Sequence, residues 1–251
     1  MKKLSLFSAL GVSTLTLGAI LASGLSTAEE TEKSVDIDAA PAEQSLVVAE
    51  LFTSQSCSSC PPAEALFSEL ADQDDVLTIE WHVDYWDDLI HGGSNWKDPY
   101  SNPVYTERQR SYNASLRRTR AVYTPQAIVN GVSEGVGSRG RDVSSMIRTA
   151  ENLTVPVTIK GETIEVGASA SKADIIFLRL LKDHETNVKG GENKGRKLFG
   201  KNIVLEASLL GKTSGQTSQF ERPEIGDNEN CAVLIQSLSG DVGPVLGAAK
   251  C

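Results

Sequence analysis

The sequence predicts an α/β domain followed by a β-rich module, and three observations carry that expectation. Residues 46–83 read as strand, helix and strand, the order of a parallel βαβ unit with a right-handed crossover. Residues 103–152 read as a helix, a hairpin built on Asn130-Gly131 and a closing helix. From residue 153 short alternating apolar stretches are separated by long polar loops, the pattern of small packed sheets.

The 251-residue chain opens with a segment that is not expected to join the fold. Lys2 and Lys3 precede an apolar run from Leu4 to Leu21, and Ser26-Thr27-Ala28 offers small side chains for cleavage. This is the layout of a secretory signal over residues 1–28. An uncleaved anchor is the alternative, but Ser13, Thr14 and Thr16 interrupt the run and no basic stop-transfer cluster follows. Residues 29–44 are charged and aperiodic, so they read as a solvated linker. The formal charge of −9 becomes −11 once the two signal lysines leave. Nucleic acid is not expected as a partner, because phosphate binding needs net positive surface. No later segment is long and apolar enough for stable membrane insertion after signal cleavage.

The first domain is expected over residues 45–152. Residues 46–53 are rich in β-branched and apolar side chains and read as a buried central strand. Pro61 and Pro62 suit a first helical turn, where a missing N–H costs nothing. Ala63, Leu66, Phe67, Leu70 and Ala71 then fall on one helical face. Residues 76–83 form the second strand. Residues 84–102 are an aromatic and polar insertion, ended by the helix start Asn102-Pro103. Residues 126–129 and 132–136 flank the Asn-Gly turn, and residues 139–152 close the domain as a helix. The β-rich, sandwich-like module is expected over residues 153–251, with strands at 155–159, 163–166, 175–181, 202–207 and 232–237.

The chemistry centres on Cys57-Ser58-Ser59-Cys60, between the first strand and its helix. Two intervening residues let the sulfurs meet. Placement at a helix start favours a thiolate on the first of them. Cys57 is then the attacking nucleophile and Cys60 the resolving thiol. A zinc site would need another close Cys or His pair, and the remaining cysteines are far downstream. Thr124-Pro125 stands directly before another strand, where thioredoxin-like folds place a cis proline beside the dithiol. Pro125 would shape the substrate site, with Thr124 and Trp86 lining the groove. A trans proline at a strand start is the plainer reading.

Several motifs in order strengthen this. Residues 51–62, LFTSQSCSSCPP, are followed by His82-Val83-Asp84-Tyr85-Trp86-Asp87, by Trp96-Lys97-Asp98-Pro99 and by Tyr123-Thr124-Pro125-Gln126. With residues 191–196 and 243–248 they resemble the secreted bacterial family known as domain of unknown function 1223 (DUF1223). The resemblance spans residues 45–249 and implies a thioredoxin-like domain with an appended β module. It implies no substrate. Residues 90–95 look like an addition between two of its motifs.

His82 and Asp84 lie two apart on a strand and could face one side. They are a candidate proton relay to Cys60, or a hydrogen-bonded pair at the strand end. Arg108, Arg110, Arg117, Arg118 and Arg120 could steady a thiolate or form a solvated helix face. Residues 190–197 lack phosphate-loop spacing and read as a hairpin loop. All four cysteines lie beyond the signal, so Cys231 and Cys251 are expected to form a structural disulfide.

The expected function is an exported thiol–disulfide oxidoreductase, periplasmic or secreted, with a protein or small-molecule thiol or disulfide as substrate. It would need no cofactor beyond its redox-active disulfide and no resident metal. The alternative is a non-catalytic thioredoxin-like binding module, for a protein partner or for Cu(I) at Cys57 and Cys60.

Overall fold

The computed structural model describes residues 46–88, 96–238 and 242–251. The signal over 1–28, the linker over 29–44 and the addition at 90–95 lie outside the described residues.

Eleven strands and four helices follow one another among the described residues. The first half holds β1 (Val47–Thr53), α1 (Pro61–Leu70), β2 (Val76–His82), α2 (Tyr85–Asp88) and α3 (Pro103–Arg117), then β3 (Gln126–Val129), β4 (Ser133–Val136) and α4 (Gly140–Arg148). The second half holds β5 (Val157–Lys160), β6 (Thr163–Val166), β7 (Ala173–Asn187) and β8 (Lys197–Lys212), then β9 (Ser218–Glu221), β10 (Glu229–Ser237) and β11 (Val245–Lys250).

The expected thioredoxin-like α/β domain with an appended β-rich module is not what forms. The chain is mostly β: an eight-stranded mixed sheet in the order β11-β10-β7-β8-β2-β1-β3-β4, and a three-stranded sheet β5-β6-β9. The correction has a physical reason. β2 pairs with β1 on one side, and its other edge would be a row of unpaired N–H and C=O groups. β8 covers that edge in parallel, at Glu80↔Ile203, and brings β7, β10 and β11 into the same sheet. Of the strands read as a separate sandwich, those at 175–181, 202–207 and 232–237 therefore extend the first sheet, while β5 and β6 pair with β9 in the small one. Local alternation shows that a strand exists, not which edge it joins.

Successive side chains on a strand face opposite ways, so the eight-stranded sheet has two apolar faces. One packs Val48, Phe52, Leu77, Ile79, Leu178, Leu180 and Leu234 with Tyr105 and Tyr112 of α3. On the other face Ala49 and Leu51 meet Phe67 of α1 and Val143 of α4. Farther along, Ile175, Phe177, Val233 and Ile235 meet Ile164 and Val166 of the small sheet.

Local signals act where the residues place them. Asn102 caps α3, accepting from the Val104 N–H at 2.9 Å, and Pro103 sits in the first turn. Asn130 (φ 47°) and Gly131 (φ 69°) turn β3 into β4. The buried α3 face carries one charge: Arg108 Nε donates to Glu50 Oε2 at 2.7 Å, and Trp81 Nε1 donates to the same oxygen at 2.8 Å. Arg108 thus lies against the core, 11% exposed, while Arg110 and Arg120 pair with Glu107 at the surface.

Candidate active site

β1 and β2 run parallel and end together, with Thr53 beside His82. The Ser54–Cys60 turn leaves β1 at this edge, and Cys60 is the N-cap of α1. Cys57 lies one turn ahead of the helix: its N–H donates to Ser54 O at 3.1 Å, and the Cys60 N–H donates to Cys57 O at 3.2 Å. Both cysteines are thiols, and neither has exposed surface. Ser58 and Ser59 stand over them on the exposed side.

The Thr124–Pro125 peptide is cis. It presents Thr124 Oγ1 to Cys57 Sγ at 3.3 Å, while Trp86 Nε1 donates to that hydroxyl at 2.7 Å. The Trp86 bond turns the Thr124 proton toward sulfur, so the chain of donors ends on Cys57. Cys57 Sγ also meets Ser59 Oγ at 3.2 Å.

These contacts make the two sulfurs unequal. The Cys60 thiol, hydrogen-bonded to Cys57, is the main cause that brings the Cys57 thiol down to about 6 from an ordinary 9.0. Burial opposes the fall, and the Ser59 and Thr124 hydroxyls and the Ser59 N–H add to it. Burial pushes the Cys60 thiol far up, and the neighbouring Cys57 reinforces this. Side-chain donors and the Ser59 N–H of the turn together lower the Cys57 thiol.

Beneath the dithiol lies a carboxyl that sequence reasoning passed over. Glu64 is 4% exposed, one helical turn beyond Cys60, and accepts from Thr53 Oγ1 at 2.7 Å. Burial raises it to about 7, against the opposing pull of His82. The i, i+4 spacing from Cys60 to Glu64 was the available signal, because it places both on one helical face.

His82 and Asp84 are not paired. The period of two holds only within a strand, and β2 ends at His82. Asp84 turns to α3, where Thr106 Oγ1 donates to its Oδ1 at 2.5 Å. His82 Nδ1 meets Asp98 Oδ2 at 2.8 Å, and Asp98 also accepts from the Gln55 N–H at 2.8 Å. Burial lowers the His82 pKa, but the Asp98 charge and hydrogen bond outweigh it and leave it raised. For Asp98, burial raises the carboxyl while His82 and the backbone N–H donors hold it below its ordinary value. Asp98 thus ties the buried histidine to the dithiol turn.

Cys231 and Cys251 are joined by a disulfide, with Cα atoms 5.1 Å apart. The Cys251 N–H also donates to Cys231 O at 2.9 Å, docking the last residue on β10. Among the described residues no group of three or more His, Cys, Asp or Glu side chains is arranged to hold a metal. A Cu(I) ion would have the two dithiol sulfurs, one of which keeps its proton tightly.

Residues 48–236 match the family model described as "Protein of unknown function (DUF1223)". The chain belongs to this family. Among solved structures it is similar to protein AGR_C_4864 from Agrobacterium tumefaciens, at 32% identity and a TM-score of 0.67, over 81% of this chain and 92% of that one. HBP35 of Porphyromonas gingivalis shares the fold alone, at 13% identity and a TM-score of 0.57, over 82% of this chain and 74% of that one. No curated protein matches. For this DUF1223 chain the site geometry, rather than any relative, has to supply the functional reading.

Proposed function

We propose that this DUF1223 protein is an exported thiol–disulfide oxidoreductase, acting in the periplasm or outside the cell. The observation that carries the reading is the inequality of its two sulfurs. Cys57 is held as an acidic thiol by Thr124 of the cis Thr124–Pro125 peptide, by Ser59 and by Cys60, while Cys60 is a buried thiol that keeps its proton. That pairing suits an attacking thiolate with a resolving partner.

In the reducing direction the Cys57 thiolate attacks one sulfur of a substrate disulfide. A Cys57–substrate disulfide forms and the other substrate sulfur leaves as a thiolate. Cys60 then attacks the Cys57 sulfur and gives up its proton. Glu64 is the buried carboxylate available to take it, with the Thr53 hydroxyl bordering both groups. The Cys57–Cys60 disulfide forms, and the second substrate thiolate departs. Two electrons pass from the dithiol to the substrate; in the oxidising direction each step reverses. The direction of transfer depends on the potential of the partner.

The same burial favours a second reading. With no exposed sulfur, the dithiol could serve as a brace in a non-catalytic binding module. Catalysis requires the Ser58-Ser59 turn to shift when substrate arrives. Turnover of insulin or glutathione disulfide separates the readings. An enzyme reduces the substrate, loses all turnover in Cys57→Ser, and in Cys60→Ser accumulates a mixed disulfide on Cys57. Absence of turnover together with ordinary Cys57 acidity would establish the brace.

A further inference from the structure

The β7–β8 hairpin continues past Glu80↔Ile203, the pair that joins it to β2. Its outer ladder, from Asp183↔Lys201 to Asn187↔Lys197, holds no core of its own comparable to the sheet centre. It ends in the loop 188–196, which reaches the dithiol turn. Gln55 Nε2 donates to Thr186 Oγ1 at 2.9 Å on the way. Within the loop the Val188 N–H donates to Arg196 O at 2.9 Å, and the Gly195 N–H donates to Val188 O at 2.8 Å.

Three consecutive residues of this loop grip the turn. Gly191 (φ 71°) lies so close that a Cβ there would come within 2.7 Å of Ser56 Cβ, so glycine is required on two counts. The Glu192 N–H donates to Ser56 O at 3.1 Å, and its carboxylate accepts from the Ser58 N–H at 2.8 Å. Asn193 has no exposed surface. Its Nδ2 donates to Gln55 O at 3.0 Å and to Cys57 O at 2.8 Å, and its Oδ1 accepts from Arg196 Nη1 at 2.7 Å. The Arg196 bond settles which end of the amide is the donor. Both amide hydrogens are thus spent on carbonyls of the dithiol turn, one of them belonging to Cys57 itself.

We propose that Asn193 is a positioning residue of the dithiol, holding the Cys57 carbonyl so that the turn keeps Cys57 Sγ against Thr124, Ser59 and Cys60. The second half of the chain thereby sets the reactivity of a motif encoded in the first half. This rests on the redox reading above.

The test uses the full mature protein and reads the pH profile of Cys57 alkylation by iodoacetamide, with the dithiol potential measured against glutathione. Asn193→Ala moves the alkylation profile to higher pH. Its rate near pH 5, where most of the thiol is still protonated, falls by roughly three- to tenfold, the change in thiolate fraction for half to one pKa unit. Asn193→Asp, which sets an acceptor against two acceptors, moves it further. Lys194→Ala, in the same loop, leaves profile and potential unchanged. If the alanine variant fails to fold, Asn193→Ser, with a single donor, is read in the same way. A folded Asn193 variant with the wild-type profile and potential overturns the proposal, even if its melting temperature falls. An ordinary Cys57 profile in the wild type would instead end the redox reading itself.

Discussion

The two cysteine pairs of this chain differ in almost every physical respect. Cys57 and Cys60 sit three positions apart in a tight turn, as buried thiols surrounded by donors and by a carboxyl. Cys231 and Cys251 are separated by 20 positions and are joined, tying the end of the chain to β10. Closing a short turn removes little disorder from the unfolded chain, so the first pair has little to offer stability. Its chemistry lies in the unequal acidity of the sulfurs. Closing the longer loop constrains the unfolded chain. On the proposed reading, proximity in sequence goes with reactivity and distance with bracing.

The strongest way to break this contrast is to exchange the roles by mutation. Cys57→Ser should abolish disulfide turnover, while the double variant Cys231→Ser, Cys251→Ser should retain it; turnover lost in both would end the distinction. The terminal bridge should instead appear in unfolding by urea. Its removal is expected to cost about 3 kcal/mol, the chain-entropy value for a loop of this size. An equal loss on reducing only the Cys57–Cys60 bond would blur the comparison.

The buried carboxyl sharpens it further. Glu64 is raised to about 7 in the fold and is near 4.5 when unfolded. Between those values the folded state holds the extra proton, so stability falls as pH rises from 4.5 to about 7, then levels off. Glu64→Gln should flatten that slope in a pH series of unfolding curves and slow resolution by Cys60. A variant that leaves the slope intact would remove Glu64 from the site. The smallest expected change is Thr124→Val. Losing one hydroxyl among several donors should raise the Cys57 pKa slightly and slow alkylation near pH 5 by a few-fold, on the order of one modest hydrogen bond. No change there would mean that Thr124 lies near the sulfur without stabilising its charge.

Much of the local structure was legible because its causes are local. Asn102-Pro103 capped a helix, Asn130-Gly131 turned a hairpin, and the strand–helix order around residues 46–83 produced a parallel pair. The dithiol was legible for the same reason. The partners that give it character were not. Asp98 rather than Asp84 holds His82, and Asn193 reaches Cys57 from 136 positions away. Arg108 reads as one cation in a basic stretch, yet it is paired with the buried Glu50.

By itself, the sequence determined the strands and helices of the first half, the Asn130-Gly131 turn, and which two sulfurs lie within reach of each other, but not α2, β9 or β11. Those outcomes depend on backbone preferences and on neighbours a few residues away. Only the tertiary structure decided that the later strands extend the first sheet through β8, and that a distant hairpin loop seats the Cys57 turn. Edge pairing and buried hydrogen bonds are contests among all available partners. Their outcome depends on which groups would otherwise be left unsatisfied, and no short stretch of sequence records that.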